Sequence, residues 1–221
     1  MYGAGRERVL YVEGSRPLEV GRCLLVAHAD TVWDRVWQHT FDEYEPSARL
    51  IQTDGIISSA DRNRGIGADD RAGLAILWLL KDLGHTLLIT DLEEHGRLGS
   101  SHLRAHEPEL LARINREHAF AVQFDRRNHR EFKCYDVGTP EFRSYIQHAT
   151  GYTEPDRRNA TDICTLCDPL DDGPRMCGVN LSVGYYDEHT PDEHLVVAEW
   201  QHTLNLARRW LAVAVLPCFR H

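Results

Sequence analysis

Four short, mostly apolar runs separated by longer segments constrain the fold of this chain most. They are Cys23 to Ala27, Thr86 to Thr90, Ala119 to Phe124 and Val179 to Tyr185. Runs of this kind are typical of strands that are buried on both faces of a parallel sheet. Because helical segments lie between them, the sequence predicts an α/β fold with three α/β/α layers and a mostly parallel, mixed central sheet.

The segments around these runs predict the remaining elements. The further strands are expected at Val9 to Val12, at Leu50 to Ser58 as a pair with a turn at Asp54-Gly55, and at Glu131 to Tyr135. The helices are expected at Asp70 to Leu83, Gly99 to His106, Pro108 to Asn115, from Thr139-Pro140-Glu141 onward, Ala160 to Leu166, and from Asp192 to about Leu211.

Length and composition narrow the class of protein. With 221 residues we expect one domain over residues 1–221, and the net charge of -9 argues against nucleic-acid or anionic membrane partners. Residues 1–9 form no apolar signal segment, and the longest apolar run is too short to cross a bilayer, so we expect a cytoplasmic protein.

No functional role is expected for the cysteines or for five of the histidines. The six cysteines are expected to be reduced, and Cys164, Cys167 and Cys177 are interpreted as buried helical residues rather than a structural zinc site. Five histidines in polar surroundings are expected at the surface: His118, His129, His148, His202 and His221.

Polar side chains follow the apolar runs, at the predicted sheet edge where ligands bind in open α/β folds. They are His28, Glu93 with Glu94, Asp125 and His189. A further carboxylate pair, Asp69-Asp70, precedes an apolar helix in the stretch Gly67 to Gly73. Two adjacent carboxylates repel each other near a core, and a divalent cation would remove that cost.

Two imidazoles and three carboxylates suit zinc, or a similar ion such as manganese or cobalt. The candidate ligands are His28, Asp69, Glu94, Asp125 and His189. One zinc ion would use three or four of them, whereas five with a central carboxylate suit two ions about 3.5–4 Å apart. Asp69, at a loop-to-helix junction, could bridge such ions.

Two more carboxylates have expected roles beside the ligands. Asp30 shares a face with His28 on an extended chain and could accept its other ring N–H, which is favoured over direct ligation. Of the neighbours Glu93 and Glu94, one is expected to be a ligand and the other a base for a metal-bound water. The alternative is that both are solvated charges at a helix start.

Five motifs occur in one order along residues 28 to 193 and together resemble the co-catalytic di-zinc exopeptidase superfamily. They are His28-Ala-Asp30-Thr31-Val32, Gly67-Ala-Asp69-Asp70-Arg-Ala-Gly73, Glu93-Glu94-His-Gly96, Asp125 and His189-Thr-Pro-Asp-Glu193. That superfamily includes peptidase T, the glutamate carboxypeptidase and acetylornithine deacetylase group, and the lidless di-zinc aminopeptidases.

The resemblance implies a role for each matching residue. Asp69 would bridge two metal ions, zinc in the family pattern, with His28 and Asp125 at one ion and Glu94 and His189 at the other. Glu93 would be the general acid/base, Asp30 would orient His28, and a cis peptide would join Asp69 to Asp70. A metal-bridging water, deprotonated by Glu93, would attack an amide carbonyl, and Glu93 would then protonate the leaving nitrogen.

The chain departs from the family pattern where many members carry a lid or dimerisation domain. Asp125 and His189 lie only 64 positions apart (189 − 125), which leaves no room for that insertion. Its functions would be lost, rebuilt locally or supplied by a partner chain or a second copy. The local candidates are Tyr185 and Tyr186 for a tetrahedral intermediate, Arg62, Arg64, Arg126 and Arg127 for a substrate carboxylate, Asp162 for support, and Trp33 and Trp37 at the cleft or an interface.

The residues therefore favour a hydrolase of amide bonds in small peptides, an aminopeptidase or dipeptidase. Two alternatives stay open: a deacylase of N-acyl amino acids with the same ligands, and a metal-stabilised binding domain without catalysis.

Overall fold

The computed structural model describes residues 8–33, 49–156, 159–170 and 172–221. The strands are β1 (Val9–Val12), β2 (Leu24–His28), β3 (Leu50–Thr53), β4 (Ile56–Ser59), β5 (Thr86–Thr90), β6 (Ala121–Arg126), β7 (Phe132–Lys133), β8 (Gly178–Ser182), β9 (Tyr185–Tyr186) and β10 (His194–Val196). The helices are α1 (Ala68–Leu80), α2 (Leu98–His106), α3 (Pro108–Glu117), α4 (Pro140–Thr150), α5 (Asp162–Leu166) and α6 (Val197–Leu211).

Six strands form the central sheet in the order β1-β5-β2-β6-β8-β7. The four inner strands are parallel to one another, and the two edge strands, β1 and β7, run antiparallel to their neighbours. The predicted mixed, mostly parallel sheet is therefore confirmed. All five residues of β2 and all five of β8 are buried, as expected for strands covered on both faces.

Apolar residues pack on both faces of this sheet and give the predicted three layers. On one face, Ile76 and Leu77 of α1 pack in one cluster with Phe142 of α4 and Leu211 of α6. A second cluster on the other face contains residues of α2, α3 and α5, namely Leu103, Leu111, Ile114, Ile163 and Leu166. The sheet is thus held between two helical layers, and its strand ends are left free to carry polar residues.

A smaller antiparallel sheet in the order β3-β4-β10-β9 corrects two expectations. The terminal helix was expected from Asp192, but His194–Val196 forms β10 and α6 begins at Val197, because β10 pairs with β4 on one side and β9 on the other. The predicted run Val179 to Tyr185 is divided, since Gly184 adopts a positive φ of 86° between β8 and β9.

Other expectations differ in extent. The strand predicted at Glu131 to Tyr135 is reduced to Phe132–Lys133, and the helix at Ala160 starts at Asp162. The prediction for His118 was wrong, because this residue is fully buried, whereas His129, His148, His202 and His221 are exposed as expected.

The six cysteines are free, and none belongs to a candidate metal group among the described residues. Within the same part of the chain, no helix is long and apolar enough to cross a bilayer. Trp33 is half-buried and is absent from the lining of the site cavity described below, while Trp37 lies outside the described residues.

Candidate metal centre

The structure brings the predicted ligands together at one edge of the central sheet. His28 ends β2, Glu94 lies four residues after β5, and Asp125 is the last but one residue of β6. Because these three strands are parallel, their carboxyl ends meet at the same edge. Asp125 was expected just beyond its strand and lies inside it, but it still reaches this edge.

The carboxylate of Asp69 faces two different imidazoles. Its Oδ1 lies 3.1 Å from Nε2 of His28, and its Oδ2 lies 3.3 Å from Nε2 of His189. Asp125 Oδ1 is 3.3 Å from the His28 nitrogen, and Glu94 Oε1 is 2.9 Å from the His189 nitrogen. Asp69 therefore stands between two groups of donor atoms, one on each side.

These spacings fit metal ions. Tetrahedral zinc with bonds of about 2.0–2.1 Å has its ligand atoms roughly 3.3 Å apart. The separations within the two groups, from 2.9 to 3.3 Å, are close to that value. The donor set of imidazole nitrogen and carboxylate oxygen is also the one that zinc and related divalent ions prefer.

The electrostatics of the cluster also favour a bound cation. Burial, together with the charge of Asp69, raises the pKa of Asp125 above the usual range of a carboxyl group. Burial also raises the pKa of Glu93, and the charges of Asp125 and Asp162 add to the shift. A divalent cation between these groups would stabilise their charged forms and remove the repulsion.

Asp30 connects His28 to the loop after β5. The His28 Nδ1 atom lies 2.9 Å from the backbone oxygen of Asp30 and 3.3 Å from its carboxylate. The two carboxylate oxygens accept the backbone N–H groups of Glu93 (2.9 Å) and Glu94 (3.2 Å). Asp30 thus orients His28 chiefly through its backbone, and its side chain positions Glu93 and Glu94, a function that the sequence did not suggest.

Asp70 has a structural role that sequence reasoning missed. It is fully buried, its Oδ2 accepts the backbone N–H of His28 (3.1 Å), and its Oδ1 accepts that of Gly73 (3.0 Å). Asp70, His28 and Asp125 also have donor atoms within 4.8 Å of one another, but both oxygens of Asp70 are engaged by backbone groups. The peptide bond between Asp69 and Asp70 is cis, as the resemblance implies.

Asp125 is fixed by three residues that no motif marked, and one of them, Gln123, donates its side-chain N–H to Asp125 Oδ2 at 2.9 Å. The Asn180 side chain accepts the backbone N–H of Asp125 (2.9 Å) and donates to its carbonyl (3.0 Å). Thr161 donates its hydroxyl to Asp125 Oδ2 at 2.8 Å. An asparagine within the apolar run around Val179 was the available signal for this contact.

A cavity of about 410 Å³ opens onto the cluster. It is lined by Asp69, Glu93, Glu94, Asp125 and His189 together with neighbouring polar residues. The predicted acid/base and four predicted ligands therefore share one accessible space. The fifth ligand, His28, is 1% exposed and lies behind them.

Some of the candidate substrate-binding residues line this cavity, and the others do not. Tyr185 lines the cavity and donates its hydroxyl to Asp125 Oδ1 (3.4 Å), whereas Tyr186 donates to Glu199 instead. Arg127 lines the cavity and pairs with Glu188, and Arg126 also lines it but is buried. Arg62 and Arg64 are absent from the lining.

Asp162 forms structural contacts with the elements that carry the site, in line with the supporting role suggested by the sequence. It is fully buried and accepts the hydroxyl groups of Thr90, at the end of β5, and Ser100, in α2. These bonds tie α5 to the strand that leads into Glu93 and Glu94.

The fold is similar to that of several solved peptidase structures. The aminopeptidase PepT of Bacillus cereus shares 16% identity, with 92% of this chain and 83% of that chain covered and a TM-score of 0.64. A tripeptidase of Staphylococcus aureus shares 16% identity, with 93% and 83% covered and a TM-score of 0.65. The TET1 peptidase of Pyrococcus horikoshii, which can assemble into a tetrahedron or a large octahedral shell, shares 12% identity, with 94% and 86% covered and a TM-score of 0.56.

The sequence itself matches no protein-family model and no curated protein. The similarity to these proteins therefore concerns the fold. One of the similar structures is the aminopeptidase PepT, and the sequence motifs also resemble those of a group that includes peptidase T. The chain has the α/β fold of these peptidases, as the sequence analysis predicted.

Proposed function

We propose that this chain is a di-metal-dependent hydrolase of amide bonds in small peptides, an aminopeptidase or dipeptidase, with one catalytic domain over residues 1–221. The observation that carries the proposal is the position of Asp69. Its two oxygens face separate imidazoles at 3.1 and 3.3 Å, each accompanied by a further carboxylate, within a cavity that also holds Glu93. A carboxylate placed in this way suits a pair of ions rather than one.

The five ligands divide between two sites. His28 and Asp125 would hold one ion, Glu94 and His189 would hold the other, and Asp69 would contribute to both. Zinc is the first candidate on the donor set, with manganese or cobalt as alternatives. When bound, such ions polarise an amide carbonyl and lower the pKa of a water molecule towards neutrality.

Glu93 is the general acid/base in this proposal. Its backbone is fixed by Asp30 at 2.9 Å, and its side chain faces the cavity beside the ligands. Glu93 takes the proton of the attacking water and then delivers it to the leaving nitrogen.

Two other cavity residues have proposed roles in substrate binding. The hydroxyl of Tyr185 donates to Asp125 at 3.4 Å, and in the reaction it would exchange this acceptor for the developing oxyanion. Arg127 is exposed, lines the cavity and pairs with Glu188, so a substrate carboxylate could exchange for that partner. The cavity volume of about 410 Å³ falls within the range of small-molecule sites.

The first test is metal content combined with turnover. We expect two ions per chain in the wild-type protein, loss of ions in Asp69→Asn, and full metal content in Glu93→Gln. Because the amide cannot carry the proton, Glu93→Gln should lower kcat by about 10²–10⁴-fold on dipeptides or tripeptides. Glu154→Gln is the matched control, since Glu154 is half-buried and is absent from the cavity lining.

The possible outcomes separate the alternatives. Unchanged kcat in Glu93→Gln would refute the acid/base role. Turnover of N-acyl amino acids without turnover of peptides would identify a deacylase. Two bound ions without turnover of either class would identify a metal-stabilised binding domain.

A further inference from the structure

A buried carboxylate, Glu193, joins the loop that carries His189 to the loop that carries Asp69. Glu193 is 1% exposed. Its Oε2 accepts the backbone N–H of Gly67 (2.7 Å) and the indole N–H of Trp33 (3.1 Å), and its Oε1 accepts the backbone N–H of Asp69 (3.1 Å). Three donors from two separate chain segments therefore converge on one charged group.

The chain around Glu193 is shaped to receive this carboxylate. A Cβ atom added at Gly65 would lie 2.5 Å from Glu193 Oε2 and 2.7 Å from the carbonyl oxygen of Thr190. Gly67, which donates the shortest bond, has a positive φ of 63°. The absence of a side chain at Gly65 thus allows the two segments to approach closely, and glycine at position 67 allows the positive φ there.

The His189 loop is short and closed by its own backbone. The Thr190 N–H donates to the Asp187 carbonyl, and the Glu193 N–H donates to the Thr190 carbonyl. The His189 side chain is 48% exposed, so little packing holds it. Because Glu193 terminates this loop and also binds the backbone of Asp69, one carboxylate relates the positions of both residues.

The other half of the metal centre is fixed independently. His28 is held by Asp30 and Asp70, and Asp125 is held by Asn180 and by a threonine hydroxyl. None of these contacts involves Glu193. Asp69 faces both sides of the centre, whereas the His189 loop belongs to one side only, so displacement of Glu193 should act more strongly on the His189 side.

We propose that Glu193 is a positioning residue that sets the Asp69–His189 half of the metal centre, where Glu94 is the third ligand. The inference rests on the proposed two-metal function. Groups that orient metal ligands typically change metal affinity by about 10–100-fold when they are replaced. We expect a change of that size for the ion on the His189 side and a smaller change for the ion on the His28 side, which shares only Asp69 with it.

The experiment measures both metal dissociation constants by chelator competition in wild type and in Glu193→Gln. The amide has one oxygen instead of two, so at least one of the three N–H donors loses its acceptor. We expect the ion on the His189 side to bind about 10–100-fold more weakly and the other ion to lose less affinity. Cobalt loading adds a spectroscopic readout, because the absorption of the ion on the weakened side should be lost first on titration with chelator.

The matched control is Glu154→Gln. Glu154 is half-buried and, like Glu193, accepts a backbone N–H, that of Cys134 at 2.9 Å, and it pairs with Arg143. We expect this variant to lose thermal stability and to keep both metal affinities. A stability effect alone would therefore be the same in both variants, whereas a selective loss of one ion would be specific to Glu193→Gln.

A second variant covers the case in which Glu193→Gln does not fold. Gly65→Ala places a methyl group against the Glu193 carboxylate and should weaken the binding of the ion on the His189 side. Unchanged affinities, or equal weakening of both ions, would refute the positioning role. Fewer than two ions in the wild-type protein would instead refute the proposed function, so the two failures are distinguishable.

Discussion

The buried histidine His118 should make the stability of this protein depend on pH in a calculable way. Its Nδ1 lies 2.9 Å from the Ile114 carbonyl and its Nε2 lies 2.7 Å from the Thr86 hydroxyl. The carbonyl can only accept, so Nδ1 carries the proton and Nε2 accepts from the hydroxyl. Burial lowers the pKa of His118 from 6.5 to about 4, because a charged imidazole would be desolvated there.

The size of the effect follows from this difference in pKa. The folded-state value lies below the unfolded-state value, so the unfolded chain binds more protons between about pH 4 and pH 6.5. The stabilisation is complete above the unfolded-state pKa and is lost as the pH falls through the folded-state pKa. Between pH 7 and pH 5, the linkage relation gives a loss of about 2 kcal/mol in the free energy of unfolding for this one group.

The assay is urea unfolding at pH 7 and pH 5 in the presence of a chelator, for wild type and His118→Gln. Glutamine does not titrate. Between pH 7 and pH 5, the free energy of unfolding of His118→Gln should therefore fall by about 2 kcal/mol less than that of wild type. Contributions from the carboxylate cluster are common to both proteins and cancel in this comparison. His148→Gln, at an exposed position, is the control and should behave as wild type. Identical pH dependence in wild type and His118→Gln would show that His118 is not buried as a neutral group.

Two further predictions concern the candidate site. Asp30→Asn removes one acceptor oxygen from the backbone of Glu93 or Glu94, and we expect metal affinity to fall by about 10–100-fold in chelator competition, with unchanged affinity as the contrary result. Tyr185→Phe removes the hydroxyl beside Asp125, and we expect kcat to fall by about 10²–10³-fold with metal content and KM nearly unchanged. A change confined to KM would instead assign Tyr185 to substrate binding.

The central sheet could be predicted because its signals are local. An apolar run such as Thr86–Thr90 identifies a buried strand by itself, and the structure places that strand at the same residues. Polar residues after such runs were expected at the carboxyl edge of the sheet, and Glu94 and His189 approach to 2.9 Å there. Neither step required knowledge of which distant residues pair.

The second sheet could not be predicted in the same way. His194–Val196 continues the apolar spacing of the following helix, and the sequence alone favours a helical start. Its strand conformation depends on hydrogen bonds to β4 and β9, which precede it in the chain. Strand preference of this kind is decided by tertiary context more than by the residues themselves. The burial of His118 was not predicted for a related reason. The Thr86 hydroxyl that is hydrogen-bonded to its ring lies 32 positions away in the sequence.

The same distinction separates the ligands from the residues that hold them. A ligand is marked by its place at a strand end, whereas Asp30, Asp70 and Glu193 act on backbone N–H groups 63, 42 and 126 positions away, respectively. The oxygens of a buried carboxyl group accept such N–H groups, and each donor is then held in turn. The three carboxylates therefore link segments that no local pattern connects, and they set the separation of the ligands as much as the strands do. Replacing any one of them by its amide should change metal affinity more than fold stability, with the effect confined to the segments that the replaced carboxylate joins.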